Sequence, residues 1–88
     1  MSKPNQLLIH ALAIHTEKPG TVHARATVRL GVPSPGDRVR FEGTDRVMRE
    51  LKIVDIKQSN RLSTLGLIGS EEDLRHLVGG TYLYGAED

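Results

Sequence analysis

Cysteine is absent from this 88-residue sequence, and aromatic residues are scarce. Without cysteine the chain has no disulfide, no thiolate metal ligand and no cysteine nucleophile. Its aromatic residues are Phe41, Tyr82 and Tyr84, with no tryptophan. The core must therefore be built mainly from aliphatic side chains. The scarcity also argues against a base-stacking platform for nucleic acid, because Tyr82 and Tyr84 are the only plausible exposed rings.

Long hydrophobic runs are missing as well. The most apolar segment, residues 7–14, is interrupted by His10 and is far too short to span a bilayer. It also lacks the small-residue cleavage pattern of a secretory signal peptide. Together with the absence of cysteine, these features predict a cytoplasmic protein with no membrane partner.

The composition is that of a folded domain, with 38% hydrophobic and 26% charged residues. A chain of this length fits a single domain over residues 1–88, with loose ends at 1–5 and 86–88. The net charge of +1 is unevenly distributed, because residues 1–61 carry +5 and residues 62–88 carry −4. This division predicts one basic and one acidic region.

Apolar and polar residues alternate along much of the chain. Residues 22–30 are apolar at every even position and polar at every odd one, which is typical of a strand with one face in a core. Residues 37–42 repeat the alternation. Residues 46–57 change phase, and a β-bulge near Ile53 and Val54 would reconcile the two halves. Further strands are predicted at 7–14, 62–68 and 81–84.

Residues 70–80 depart from the period of two. Ser70 is a suitable N-cap, and the three acidic residues after it favour a helix start. Leu74, Leu77 and Val78 form one apolar stripe at helical spacing, and either of the two glycines that follow would end the helix after about two turns. We therefore predict an all-β fold, a small closed or nearly closed six-stranded barrel with one short helix before the last strand.

Glycines and strand residues follow a recognisable order along the chain. The order begins with Gly20-Thr21-Val22, continues through Gly31, Gly36 and the strand 37–41, and ends with two glycine-flanked strands at 65–69 and 80–83. Over residues 7–85 this pattern resembles the β-barrel second domain of translation GTPases such as elongation factor Tu. The sequence departs from the family pattern in two places, because Ala24 or Arg25 replaces the family's mid-strand glycine and the segment 56–65 is short. None of the family's contacts with tRNA can be matched to residues of this chain.

The resemblance implies a translation-factor-like barrel used apart from its GTPase domain. The chain lacks the Gly-x-x-x-x-Gly-Lys-Ser/Thr phosphate loop, so GTPase activity is excluded. Related barrels occur in RNA-bound and ribosome-associated proteins, which favours such a partner by analogy.

A basic sheet face is the candidate nucleic-acid-binding site. His23, Arg25 and Arg29 point outward from the predicted second strand, and Arg38 and Arg40 would join them if the next strand pairs with it as a hairpin. Guanidinium groups match phosphate oxygens in a bidentate manner. Under the alternative interpretation, alternating strands simply place these charges in solvent.

Catalytic, metal and cofactor sites are not predicted. The four histidines have neither His-x-His nor His-x-x-x-His spacing, and His10 and His15 are expected on opposite faces of their strand. The serines fall at turn or cap positions, without a partner base. The acidic residues 71–73 would stabilise a helix start or, alternatively, form a docking surface for a basic partner or a second copy.

The sequence therefore predicts a non-catalytic binding module associated with RNA or ribonucleoprotein through its basic face. The alternative is a protein-interaction or regulatory module, including one that self-associates, in which the charges only confer solubility.

Overall fold

Residues 6–86, which the computed structural model describes, form six strands and one helix. The elements are β1 (Leu8–Lys18), β2 (Thr21–Leu30), β3 (Arg38–Glu42), β4 (Met48–Ser59), β5 (Leu62–Ile68), α1 (Glu71–Arg75) and β6 (Tyr82–Gly85). The predicted loose ends at 1–5 and 87–88 lie outside the described residues. Ala86 lies within them, and its backbone N–H donates to the Arg38 carbonyl at 3.0 Å.

The strands close into an antiparallel barrel in the order β1-β2-β5-β4-β3-β6. The short strand β6 completes the ring, because Leu83 pairs with Ile9 of β1 and Tyr84 pairs with Arg40 of β3. The closing pairings cover only part of the longer strands, because β1 pairs with β6 over residues 8–10 and β4 pairs with β3 over residues 48–52. The all-β class, the closed six-stranded barrel and the helix before the last strand are all confirmed.

The barrel interior is aliphatic apart from Phe41, which is fully buried. Even-numbered residues of β2 from Val22 to Ala26 point inward, as the alternation predicts. Leu30 is an exception, because it is 52% exposed although its parity predicts burial. A register shift explains this exposure, because Ile9 pairs with Val28 whereas Leu8 pairs with Leu30. The extra residue of this β2 bulge, Arg29, reverses the parity and turns Leu30 to the outer face.

Two further bulges change which residues face inward. The bulge predicted in β4 is confirmed, because the register shifts between Ile53 and Asp55, and Val54 is exposed between them. A second bulge in β1, between Ala11 and Ala13, was not predicted. It reverses the parity of the strand, so His10 and His15 both lie on the outer surface. The expectation that these histidines occupy opposite faces is therefore wrong.

The helix is shorter than predicted. The Ser70 hydroxyl accepts a hydrogen bond from the Asp73 N–H at 3.0 Å, which confirms the N-cap. The helix ends at His76 rather than at the glycines, and Val78 is 46% exposed, so the buried stripe contains only Leu74 and Leu77. The chain must leave the helix early because the Gly80 N–H donates to the Ala11 carbonyl of β1 at 2.7 Å.

Candidate nucleic-acid interface

The barrel topology divides the predicted basic face. Strand β2 is hydrogen-bonded to β1 and β5, whereas β3 is hydrogen-bonded to β4 and β6. The condition under which Arg38 and Arg40 would join the β2 residues, a β2–β3 hairpin, is therefore not met. The two strands lie on opposite sides of the ring, with two strands between them in either direction. The connection 31–37 crosses from one to the other and contains Gly31 and Gly36 with φ of +83° and +100°.

Arg38 and Arg40 lie together on the outer surface of β3, where both contact Glu50 of β4. Arg38 Nη1 is 3.4 Å from Glu50 Oε2, and Arg40 Nε is 3.5 Å from Glu50 Oε1. The two guanidinium groups share this one carboxylate. Surface ion pairs of this kind contribute little to stability.

His23, Arg25 and Arg29 lie on the outer surface of β2, as predicted. His23 Nε2 is 2.8 Å from Glu17 Oε2, so its ring already contacts a carboxylate. Arg25 and Arg29 are exposed and form no ion pair with any side chain of residues 6–86. These two arginines are therefore the members of the predicted β2 set that are available to an anionic ligand.

Arg25 lines a surface groove of about 540 Å³ beside the β4–β5 hairpin. Outward residues of three adjacent strands form one row here, because Arg25 pairs with Thr64 and Thr64 pairs with Lys57. The groove is lined by Arg25, Ser59, Asn60, Arg61, Leu62 and Thr64. None of these lining residues is acidic. We call the surface formed by Arg25, Lys57 and Arg61 the basic groove.

The basic groove combines free cations with hydrogen-bonding groups. Lys57 and Arg61, like Arg25, are exposed and have no ion-pair partner in the described part of the chain. Asn60 has φ of 59°, a left-handed conformation that asparagine tolerates, and this turn places Arg61 at the groove. Hydroxyl and amide groups in the lining are suited to phosphate oxygens. Lys57 and Arg61 were not among the predicted site residues, although both lie at the junction of the predicted strands 46–57 and 62–68.

A second charged cluster lies at the other end of the barrel, around Arg49. This side chain is only 11% exposed, and its guanidinium binds Asp45 of the β3–β4 turn and Asp73 of the helix, the latter at 2.8 Å. The hydrogen bond from Arg49 lowers the pKa of Asp45 below its ordinary value of 3.8, and both carboxylates raise the pKa of Arg49. The cluster attaches the turn to the helix.

His76 extends this cluster. Its Nδ1 lies 2.6 Å from Thr44 Oγ1, and its Nε2 lies 3.3 Å from Glu72 Oε2. Glu72 also lies 3.6 Å from Arg75, and Asp73 binds Arg49. Two of the three acidic residues at the helix start are thus engaged within the chain, which weakens their interpretation as a docking surface for a basic partner.

Stability should fall in acid because of Asp45. A carboxyl group with a lowered pKa in the folded state stabilises the protein above its ordinary pKa, and this contribution is lost as pH falls through the folded pKa. We expect the thermal midpoint to drop as pH falls below about 3.8. The Asp45→Asn variant should have a flatter pH dependence in this range, measured by circular dichroism. An unchanged pH dependence would contradict a role for the Arg49 cluster.

None of the helices in residues 6–86 has the length and apolar character needed to cross a membrane. Within the same residues, no group of three or more histidine and acidic side chains is placed to hold a metal ion. The chain matches no protein-family model, no curated protein and no solved structure.

Proposed function

We propose that this protein is a non-catalytic binding module that engages RNA, alone or within a ribonucleoprotein, through the basic groove. The observation that carries the proposal is that Arg25 and Arg61 line one groove, with Lys57 in the same row of paired residues as Arg25. None of the three has an ion-pair partner in the described chain. Like charges held together repel one another, and an anionic polymer relieves this repulsion while releasing its own counterions.

The resemblance to the second domain of translation GTPases supports this proposal. Three glycines of that pattern, Gly20, Gly31 and Gly36, have φ between +83° and +100°, where other residues are strained. The shared glycines therefore coincide with turns that this barrel requires. We propose that the chain is a freestanding barrel of that type and that it acts in the cytoplasm.

A protein-interaction or regulatory module is the competing proposal. Head-to-tail self-association would need free acidic groups at the helix end to meet the basic groove of a second copy. Glu72 and Asp73 are instead paired with Arg75 and Arg49 of the same chain. Of the three acidic residues at the helix start only Glu71 has no ion pair in the described chain, whereas all three cations of the basic groove have none. This difference favours an anionic partner.

Binding of RNA should depend steeply on salt. We expect a fluorescently labelled single-stranded RNA of 12 nucleotides to bind, with a slope of log affinity against log salt of about −2, since three cations each release about 0.7 counterion. Fluorescence anisotropy at several salt concentrations measures this slope. Several unrelated RNA sequences should give similar slopes, because phosphate contacts carry no sequence information.

Affinity capture from a cell lysate distinguishes an RNA partner from a protein partner. The lysate is divided, and one half is treated with nuclease before capture. Partners lost after nuclease treatment would support the RNA proposal. A single protein retained at full stoichiometry after nuclease and high salt, with no RNA binding in the titration, would contradict it and favour the protein-interaction module.

A further inference from the structure

We propose that His10, Tyr82 and Tyr84 form a platform on which bases of single-stranded RNA stack. This inference rests on the proposed function and assigns the base-contacting side of the interface. We call these three residues the aromatic platform. It lies on β1 and β6, two neighbouring strands of the outer barrel surface.

Two rings of the platform are already stacked. The ring centroids of His10 and Tyr82 are 4.3 Å apart, and the ring planes differ by 5°. Tyr82 and Tyr84 are two residues apart on β6, so both side chains point outward, and they are 39% and 45% exposed. Rings that are held parallel and partly exposed before binding present a flat face to a base at little entropic cost.

A cavity beside the tyrosines provides room for a planar ring. Its volume is about 300 Å³. It is lined by Glu42, Met48, Thr81, Tyr82 and Tyr84. The methionine sulfur makes favourable contacts with aromatic rings, and the carboxylate can accept hydrogen bonds from base N–H groups.

The platform lies between cationic residues on both sides. Tyr82 pairs with His10, and His10 pairs with Thr27 of β2, which is two residues from both Arg25 and Arg29. Adjacent strands are about 4.8 Å apart. A base stacked on a free face of this ring pair therefore has its phosphate within reach of long β2 side chains.

The opposite side of the platform carries positive charge as well. Tyr84 pairs with Arg40 of β3, and Arg40 belongs to the pair of arginines that shares Glu50. One row of paired residues contains Thr27, His10 and Tyr82, and the next contains Leu8, Tyr84 and Arg40. In the order β2, β1, β6 and β3, arginines therefore lie on both sides of the rings, at neighbouring positions rather than in one row. This order matches a polymer that carries both planar rings and anions.

Intrinsic tyrosine fluorescence tests the platform directly. Tyr82 and Tyr84 are the only tyrosines, and the chain has no tryptophan, so all tyrosine emission comes from β6. We expect a 12-nucleotide single-stranded RNA to quench this emission on binding. An abasic oligomer with the same number of phosphates should bind through the basic groove with much less quenching.

Substitutions provide a second measurement. We expect Tyr82→Leu to weaken RNA binding roughly tenfold, because stacking of a base on an aromatic side chain is lost. Its affinity for the abasic oligomer and its salt slope should not change. Tyr82→Phe, which keeps the ring, should bind RNA nearly as well as the natural chain. Val78→Ala removes a similarly exposed apolar side chain elsewhere and serves as the matched control.

The outcomes separate this inference from the proposed function. Equal affinity for RNA and the abasic oligomer, with no tyrosine quenching, would overturn the platform and leave the basic groove intact. Absence of salt-dependent binding to both oligomers would overturn the proposed function and the platform together. If Tyr82→Leu fails to fold, the quenching of the natural chain still decides between these outcomes.

Discussion

Reversing the charge of Arg25 and Arg61 together is expected to abolish RNA binding, with a loss of at least about 100-fold at moderate salt. The Arg25→Glu and Arg61→Glu substitutions remove two of the three cations of the basic groove and place carboxylates beside the phosphates. Both side chains are exposed and unpaired within residues 6–86, so the fold should be retained. Anisotropy measures the affinity, and circular dichroism checks the fold.

The matched control is the pair Lys18→Glu and Arg75→Glu. It changes the net charge by the same amount, and both residues line a different cavity that also contains Glu71. We expect less than about a threefold loss of affinity, because charges farther away than the Debye length are largely screened. An equal loss in both pairs would show that net charge, rather than the groove, governs binding. Unfolding of the first pair would contradict the outward placement of its residues.

Leu51→Ala should destabilise the barrel by roughly 2–5 kcal/mol. Leu51 is 2% exposed and points inward from β4, in a core that contains one aromatic side chain. A thin core cannot collapse fully around the space that the substitution leaves. Urea denaturation measures the change in the free energy of unfolding. A nearly unchanged free energy of unfolding would contradict the inward orientation of Leu51 in the part of β4 that precedes the bulge.

The contact between Gly69 and Leu51 provides a second test of the inward orientation of Leu51. A Cβ at Gly69 would overlap Leu51 Cδ2. The φ of Gly69 is not in the left-handed region, so the backbone alone would accept alanine. The side chain of Leu51 is therefore what excludes alanine at this position. Gly69→Ala alone should therefore cost roughly 1–3 kcal/mol. In the Leu51→Ala background the new methyl group has room, so the double variant should be more stable than the sum of the single losses predicts. Strict additivity would contradict the contact.

Local patterns allowed the strand faces to be predicted. The alternation in β2 identified Val22, Ala24 and Ala26 as buried, and the change of phase in β4 located its bulge at Val54. These features depend on neighbours within a few residues. The bulge in β1 escaped prediction because Leu12 and Ala13 are both apolar, so no change of pattern marks it.

Strand order could not be predicted from the same patterns. The neighbours of β2 and β3 are decided by packing between distant segments, and the hairpin that would have placed Arg38 and Arg40 beside Arg25 does not form. The same error concealed Lys57 and Arg61, which reach Arg25 only because β5 lies between β2 and β4. The two plausible tyrosines were identified, but His10 is 72 residues from Tyr82 in the sequence, so their stacking required the structure.

The four-residue strand β6 has a consequence for the order of folding. Its pairing with β1 joins segments that are more than 70 residues apart, and such non-local contacts form slowly and late. Tyr82 and His10 are brought together by this β1–β6 pairing. A chain in which β1 and β6 are separated therefore lacks the stacked pair of rings on which a base would stack. A ligand that stacks there binds only the closed barrel, and by mass action it holds the first and last strands together against local opening.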